Sequence, residues 1–287
     1  MSLAYLGTSE FAAGVLERLV ADGHAPGLVV TRPDRPAGRG RRLRSPQVAL
    51  AARELGLELH QPDSVNADER ILACDRVAVC AFGSLIRPPL LDRDLLNVHP
   101  SLLPRWRGAA PIERAIMAGD ERTGVAIMRI TEGFDEGPVG LVDDEPIHGD
   151  DDFGTLSARL VEIGARLLVE ALDSSPRFRA QGDDGVTYAE KISAGDRTLD
   201  PARPAVELDR VVRALHPHIG ARLALADGSF LRVRRAQPVE SAAEASGPLV
   251  VPCGAGALEL VEVQPPGGRP MDAEAYARGR GGTLALP

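Results

Sequence analysis

The stretch that most constrains the fold is residues 97–114, NVHPSLLPRWRGAAPIER, where an apolar run ends in polar side chains. Two leucines lead into Asn97 and His99, a pattern typical of the end of a buried strand. Residues two apart on a strand face the same side, so this pair would present an amide beside an imidazole. Open α/β sheets bind ligands at the carboxyl ends of their strands, which predicts a site here. A core histidine and a turn asparagine are an equal alternative from this pattern alone.

The residues after this strand predict a loop and then a helix. Pro100 and Pro104 end regular structure, and Gly108 permits a turn. A helix is predicted at 110–118, with a proline in its first turn. Trp106 is the chain's one tryptophan and lies between two arginines. It is either part of the site or a partly buried anchor of the loop.

Length and composition favour a globular protein of about two domains. The 287 residues exceed the usual single core, and 44% of them are hydrophobic. We find no apolar run of the length that spans a bilayer, and the amino terminus enters a strand without a basic leader. These features predict a soluble, cytoplasmic protein without a membrane segment. Cys74, Cys80 and Cys253 are scattered and odd in number, which favours reduced thiols over a disulfide framework or a zinc site.

The amino-terminal residues predict a βαβ unit. Strands are predicted at 3–6 and 28–30, and the helix between them is capped by Thr8 or Ser9 and ends at Gly23. A single glycine follows the first strand, which is a poor match to the glycine-rich dinucleotide fingerprint. Dinucleotide binding is therefore not predicted.

A basic segment, residues 31–46 (TRPDRPAGRGRRLRSP), follows the second strand of this unit. Its six arginines face one acid, Asp34, a local excess of five positive charges in a chain of net charge −8. Its prolines and glycines predict a loop without helix or strand over most of its length. Such a charge excess favours contact with phosphate or RNA, and a solvated basic loop is the alternative. The arginines are Arg32, Arg35, Arg39, Arg41, Arg42 and Arg44.

Strands and helices then alternate as far as residue 172. The strand predicted at 125–130 is followed by a turn, GFDEG (133–137), in which glycines bracket Asp135. Aspartate is common in turns, and a catalytic carboxylate is the second interpretation, because this strand follows the one that carries His99. The other predicted elements are strands at 76–82, 95–99 and 140–147 and helices at 46–57 and 155–172.

Two groups of polar residues resemble metal ligands without completing a set. The acidic runs 143–145 and 150–152 flank His148, and His216 is two residues before His218. Neither group has a recognisable spacing or a third ligand. No metal site is predicted.

The pattern changes to short strands in the last third of the chain. Strands predicted at 222–226, 230–233, 248–251 and 258–263, with helices at 206–215 and 271–277, fit a small open β-barrel of the oligonucleotide-binding sort. Residues 187–204 are polar and proline-bearing, which suits a linker. The predicted division is thus 1–186, the linker 187–204, and 205–287.

Several motifs together carry a resemblance over nearly the whole chain: GTSEF, RPDRPAGRGRRL, NVHPSLLPRWRGAAPI, ERTGVAIM, GFDEG, VTYAEKI and, more loosely, QPPGGRPM. The chain resembles the methionyl-tRNA formyltransferases, translation-initiation enzymes that transfer a formyl group from 10-formyltetrahydrofolate to the α-amino group of initiator methionyl-tRNA. The resemblance implies a Rossmann-like α/β formyltransferase domain, then an open β-barrel (OB-like) domain that binds tRNA. SLLPRWRGAAPI points to folate-dependent formyl transfer in general, and RPDRPAGRGRRL with the second domain narrows it to the tRNA enzymes.

The resemblance also implies roles for individual residues. Asn97, His99 and Asp135 match the catalytic trio, which would act by direct attack of the amine through a tetrahedral intermediate, without a covalent enzyme intermediate or a metal. The segment Ser101, Leu102, Leu103 and Pro104 matches the lining of the folate site. The loop residues Arg35, Arg39, Arg41 and Arg42 match the tRNA-binding loop. A monomer is expected.

Two other functions remain open from the sequence. One is a folate-dependent formyltransferase acting on a small amine, such as an amino sugar or glycinamide ribonucleotide, or a formyl-folate hydrolase. The basic loop and the predicted barrel argue against it. The other is an RNA-binding relative without catalysis, against which the intact Asn97, His99 and Asp135 argue.

Overall fold

The computed structural model describes residues 2–37, 42–279 and 286. The chain divides into two compact units, each built from three stretches. Unit 1 comprises Met1–Pro111, Thr123–Pro146 and Ser157–Ala189, and unit 2 comprises Ile112–Arg122, Ile147–Leu156 and Glu190–Pro287. The contiguous domains and linker drawn from the sequence stay a prediction.

The first two thirds of the chain alternate strands with helices, as the sequence predicts. The strands are β1 (Leu3–Gly7), β2 (Leu28–Val30), β3 (Arg35–Ala37), β4 (Arg42–Arg44), β5 (Leu59–His60), β6 (Arg76–Cys80), β7 (Leu95–His99), β8 (Arg107–Gly108), β9 (Arg122–Arg129), β10 (Val139–Pro146) and β11 (Tyr188–Ala189). The helices are α1 (Glu10–Ala21), α2 (Gln47–Glu54), α3 (Glu69–Leu72), α4 (Pro111–Ala118) and α5 (Phe153–Ser174), with a 3-10 turn at Leu90–Asp92. None of the helices in the described part of the chain is long and apolar enough to cross a membrane.

The main sheet has the strand order β10-β9-β7-β6-β1-β2-β5. Neighbours from β5 to β7 are parallel, and β9 runs antiparallel to β7. From β1 the chain proceeds outward through β2 to β5, and it then returns to β6 on the other side of β1. The strand order therefore reverses between β1 and β6, the position at which such sheets open a ligand crevice at their carboxyl ends.

Sequence explains the regular elements of this unit. Every residue of β1 and β7 is buried, as the continuous apolar runs predict for strands covered on both faces. Ser9 caps α1 by accepting the Ala12 N–H, and Gly23, at φ +84°, follows its end. Thr8, the other predicted cap, instead donates its hydroxyl to the Phe82 carbonyl.

Within residues 31–46, predicted to be a loop over most of their length, two short segments are strands in the structure. Arg35–Ala37 and Arg42–Arg44 pair antiparallel as β3 and β4. Proline fixes a φ angle compatible with an extended strand and only removes a donor, so Pro36 is tolerated in a two-stranded ribbon. Asp34 holds the base of this ribbon, because it accepts hydrogen bonds from Gln61 and Ser45. These hydrogen bonds lower the pKa of the Asp34 carboxyl.

Unit 2 carries a second sheet with its own core. The strands are β12 (Thr198–Leu199), β13 (Ala221–Ala224), β14 (Phe230–Val239), β15 (Val250–Pro252), β16 (Ala257–Gln264) and β17 (Met271–Asp272), with helices α6 (Ala205–Leu215) and α7 (Ala273–Arg278). The order is β12-β13-β14-β16-β15, and β17 pairs with β16. Helix α6 buries Leu208, Val212 and Leu215 in this core.

Two predicted limits in unit 2 differ from the structure. The strand predicted at 230–233 continues to Val239, because irregular pairing near Arg235 interrupts the apolar alternation without ending the ladder to β16. The helix predicted at 271–277 begins only at Ala273, since Met271 and Asp272 pair with β16 as β17.

We expect Asp196→Asn to destabilise unit 2 in a pH-dependent way. Arg114 donates two hydrogen bonds to the Asp196 carboxylate, at 2.9 and 3.1 Å, and this contact holds the pKa of Asp196 well below its usual range. Losing one member of such a pair should lower the free energy of unfolding by about 1–3 kcal/mol at pH 7. Denaturant unfolding of both proteins measures the difference.

The same difference should shrink in acid. A carboxyl whose folded pKa is depressed stabilises the fold above its unfolded pKa of about 3.9 and loses that contribution as pH falls through the folded pKa. The gap between wild type and Asp196→Asn should therefore narrow on moving from pH 7 to pH 3. Asp200→Asn, which changes an exposed carboxylate nearby in sequence, is the control. A gap independent of pH would contradict the assignment.

Candidate active site

Strand β7 places Asn97 and His99 on one face, as their spacing predicts. Both are nearly buried, at 9% and 4% exposure. The strand is paired on both edges, with β6 and with β9, so its backbone is fixed. The Asn97 carboxamide makes no side-chain hydrogen bond with any described residue. Its N–H groups therefore remain available to a ligand.

One ring nitrogen of His99 makes a hydrogen bond to the protein, and the other is available to a substrate. Its Nε2 lies 2.9 Å from the carbonyl oxygen of Trp106. A carbonyl only accepts hydrogen bonds, so Nε2 carries a proton and donates it. Proton exchange with a substrate is thereby left to Nδ1, which faces the Asp135 Oδ2 at 3.6 Å.

Asp135 occupies the turn between β9 and β10, where the sequence predicts it. Its φ of +49° is in the left-handed region, which aspartate tolerates better than most residues. Its Oδ2 accepts the Gly108 N–H at 2.8 Å, and its carbonyl oxygen accepts from Gln181 Nε2 at 2.7 Å. The carboxylate is thus held by the backbone of the loop that follows His99.

Gly108 meets two requirements that exclude a side chain. Its φ is +117°, and a Cβ added there would lie 2.8 Å from the Ala189 carbonyl oxygen. Glycine therefore allows the loop to approach β11 closely while its N–H points at Asp135. The loop residues 106–108 consequently support both His99 and Asp135.

The predicted folate-lining residues directly follow β7. Ser101 is fully buried, and its hydroxyl donates to the Arg105 carbonyl at 2.7 Å. It shapes the loop and offers no surface to a ligand. Leu102, Leu103 and Pro104 are each partly exposed, and the Leu103–Pro104 peptide bond is cis.

The predicted tRNA-binding arginines are only partly described. Arg39 and Arg41 lie outside the described residues. Arg35 is exposed on β3, and Arg42 begins β4. The backbone pairing of β3 with β4 brings Arg35 opposite Arg44, so positive residues meet across the ribbon.

Several supporting contacts have no signal in the sequence. The left-handed Trp106, the Gly108 N–H and the Gln181 amide are recognised only once the loop conformation is known. Thr187, whose hydroxyl accepts the Trp106 N–H, lies in the VTYAEKI motif, which the sequence marked without giving it a role. Its 81-residue separation from Trp106 explains why pattern analysis cannot pair them.

Two of the histidines considered as metal ligands, His216 and His218, each face a carboxylate. His218 Nε2 lies 3.0 Å from Glu113 Oε1, and His216 Nε2 lies 3.9 Å from Asp152 Oδ2. Within residues 2–37, 42–279 and 286, no group of three or more potential ligands is assembled for a metal ion.

Comparison with known proteins decides the family. A family model described as "Formyl transferase" matches residues 1–172, and one described as "Formyl transferase, C-terminal domain" matches residues 191–281. A methionyl-tRNA formyltransferase of Halorhodospira halophila is 45% identical over 97% of this chain and 96% of its own length. The chain belongs to the methionyl-tRNA formyltransferase family. A second family member, from Dechloromonas aromatica, is 42% identical over 97% of this chain and 96% of its own. The resemblance drawn from the motifs is confirmed.

Solved structures confirm the fold expected of a methionyl-tRNA formyltransferase. HypX from Aquifex aeolicus, solved with tetrahydrofolic acid, superposes with a TM-score of 0.67 at 15% identity and covers all of this chain. This chain spans about half of that protein, 48% of its length. A 4-N formyltransferase from Francisella tularensis gives a TM-score of 0.63 at 15% identity, over 81% of this chain and 96% of its own. The predicted formyltransferase domain with a distinct carboxyl-terminal domain is therefore correct.

Proposed function

We propose that this chain transfers the formyl group of 10-formyltetrahydrofolate to the α-amino group of initiator methionyl-tRNA. The observation that carries the proposal is the near-complete coverage, at 45% identity, of a relative with that name. An unpartnered amide and an imidazole near the carboxyl end of β7, with a carboxylate 3.6 Å from the imidazole, support it. The donor folate supplies an activated formyl carbon, and the chain has to orient it, stabilise developing charge and move one proton.

Asn97 is assigned the role of stabilising the negative charge that develops on the formyl oxygen. Its carboxamide has no competing side-chain hydrogen bond among the described residues, so it can donate to that oxygen without first breaking a contact. Donors fixed in advance in a largely buried setting are the most effective stabilisers of an oxyanion. The paired edges of β7 provide that fixation.

His99 and Asp135 are assigned the transfer of the amine proton. An α-amino group has a pKa of about 8, so a modest base suffices to deprotonate it for attack. Nδ1 is the open nitrogen of His99, and it can take the amine proton as the new C–N bond forms and return it to the folate nitrogen as the old bond breaks. Asp135, 3.6 Å away, stabilises the transient imidazolium by its charge.

The substrate-lining roles remain part of the proposal. Leu102, Leu103 and Pro104 are exposed enough to contact the folate, and Ser101 contributes by holding their loop. The arginines Arg35, Arg39, Arg41 and Arg42 are assigned to the acceptor end of the tRNA, whose phosphates they would neutralise. The carboxyl-terminal barrel is assigned further tRNA contact. A monomeric, cytoplasmic protein completes the proposal, and sedimentation at several concentrations tests the monomer.

The decisive experiment offers the protein formyl-folate together with either charged initiator tRNA or free small amines. Formylation of methionyl-tRNA is the expected result. Formylation of only an amino sugar, glycinamide ribonucleotide or another small amine, or release of formate without any acceptor, would support the second candidate and remove the first.

We expect Arg39→Ala to weaken use of the tRNA while leaving folate binding nearly unchanged. A loop contact to phosphate acts on the partner that carries the phosphate and not on the uncharged formyl group. KM for methionyl-tRNA should rise and become less sensitive to salt, while the dissociation constant of a folate analogue stays constant. Arg177→Ala, at an exposed arginine elsewhere in unit 1, is the control for charge. A matching loss of folate affinity would contradict the assignment.

A further inference from the structure

Thr187 clamps the loop that follows β7 through three hydrogen bonds. Its hydroxyl oxygen accepts the Trp106 N–H at 2.9 Å, and its carbonyl oxygen accepts the Arg107 N–H at 2.9 Å. Its own N–H donates to the Pro104 carbonyl at 3.4 Å. One residue, distant in sequence, therefore holds three residues of the catalytic loop, Pro104, Trp106 and Arg107, within unit 1.

The contact to Trp106 restrains an unfavourable conformation. Trp106 has a φ of +62°, and a bulky residue in the left-handed region costs of order 1–3 kcal/mol unless its surroundings impose it. Arg105 lies over its ring at 4.4 Å, but a ring contact does not fix the backbone torsion. The hydroxyl of Thr187 restrains that torsion, because it binds the amide group on one side of the Trp106 Cα.

The amide group on the other side of that Cα holds His99. The Trp106 carbonyl accepts the Nε2 proton of His99, so a rotation of Trp106 towards ordinary φ values would withdraw the acceptor. Without it, either ring nitrogen could carry the proton of the neutral imidazole. The position of the Trp106 carbonyl thus sets which nitrogen faces Asp135 as a free base.

The neighbouring contacts make the clamp one continuous element. Strand β11 runs parallel to β8, and the Ala189 carbonyl accepts the N–H groups of Ala109 and Ala110. Between these positions, the Gly108 N–H is left to bind Asp135. Residues 187–189 therefore form hydrogen bonds with the loop backbone on either side of Gly108. The Gly108 N–H itself binds Asp135.

We propose that Thr187 is a positioning residue, whose hydroxyl fixes the tautomer and orientation of His99 through Trp106. The inference rests on the proposed function only in that formyl transfer is the assay. It requires the neutral imidazole of the wild-type enzyme to carry its proton on Nε2 and to present Nδ1 unprotonated. A threonine that merely packed the loop would not set this state.

Two substitutions separate the hydroxyl from the shape of the side chain. Thr187→Val keeps the branched shape and removes the acceptor, whereas Thr187→Ser keeps the acceptor and removes a methyl group. Misplacing a catalytic group by about 1 Å can cost about a hundredfold in rate. We therefore expect Thr187→Val to lower kcat by about 10- to 100-fold with KM values for both substrates nearly unchanged, and Thr187→Ser to stay close to wild type.

The control is a threonine with a bonded hydroxyl in unit 2. The Thr198 hydroxyl donates to the Ala194 carbonyl and accepts from Arg222 Nε. Thr198→Val should change stability without changing kcat. Thermal unfolding of all variants shows whether any loss of rate follows a loss of fold.

A spectroscopic readout completes the test. In protein labelled with ¹⁵N in its histidines, the His99 signals, assigned by their disappearance in His99→Asn, should show Nε2 protonated in the wild type and in Thr187→Ser, and a mixture of tautomers in Thr187→Val. Wild-type protein with the proton on Nδ1, or equal rate losses in the valine and serine variants, would overturn the proposal. Because the tautomer is read without any substrate, this result is independent of whether methionyl-tRNA is the acceptor.

Discussion

Asn97→Ala should lower kcat by about a hundredfold or more, with little change in the binding of either substrate, which is the usual effect of removing one oxyanion donor. The reason lies in when the interaction forms. The amide binds charge that develops on the formyl oxygen only as the amine attacks, so its loss raises the barrier without weakening the ground state. Because the carboxamide makes no other side-chain hydrogen bond among the described residues, alanine leaves no orphaned protein partner.

Single-turnover kinetics with saturating formyl-folate and methionyl-tRNA measure the chemical step directly. Asn97→Asp provides the matched comparison, since it keeps the shape of the side chain but turns a donor towards the oxyanion into an acceptor. It should be at least as impaired as alanine. Unfolding midpoints and the affinity for a folate analogue control for changes in β7. An unaffected rate in Asn97→Ala would remove this residue from the mechanism.

The sequence predicted the placement of these two side chains because the relevant information is local. Buried strands produce apolar runs, and the two-residue period places Asn97 and His99 on the same face without knowledge of the rest of the fold. The strand predicted at 95–99 has these limits in the structure. The glycines at both ends of residues 133–137 likewise predicted a turn that contains Asp135, but not its distance from the imidazole.

The contacts that orient these groups were beyond pattern analysis. A carbonyl or an amide N–H belongs to every residue, so nothing in the letters marks the Trp106 carbonyl or the Gly108 N–H as special. Their use depends on a left-handed tryptophan and on pairing with residues 187–189, which the composition predicted to be linker. Short strands such as β8 and β11 contain two residues each and have no periodicity to detect.

The basic segment shows a different limit. Its charge excess is evident from the sequence, and its prolines and glycines predict a loop over most of its length without locating a ribbon. The structure pairs β3 with β4 because a two-stranded ribbon leaves one edge of each strand without partners, where a proline costs no hydrogen bond. Residue propensities therefore missed a short ribbon, whereas the charge excess of the segment does not depend on its local backbone.

Asp135→Asn should lower kcat by about 10³- to 10⁴-fold while leaving the loop intact, approaching the effect of replacing the carboxylate of a histidine–aspartate pair. Asparagine is chosen because of the Gly108 N–H, which donates to Asp135 Oδ2 at 2.8 Å. A carboxamide oxygen can accept the same hydrogen bond, so asparagine removes the charge that faces His99 Nδ1 without removing the loop contact. Asp135→Ala removes both, and it should also lower the free energy of unfolding by about 1–3 kcal/mol.

A double-mutant cycle tests whether the carboxylate acts through the imidazole. If Asp135 works by stabilising a proton on His99 Nδ1, it has nothing to stabilise once the imidazole is gone. The rate of His99→Ala, Asp135→Asn should then nearly equal that of His99→Ala alone, a coupling far larger than the few tenths of a kcal/mol seen for independent sites. Losses that multiply would show that Asp135 contacts the substrates by itself. The 3.6 Å separation makes the coupled outcome the expected one, because charge stabilisation needs proximity and not a direct hydrogen bond.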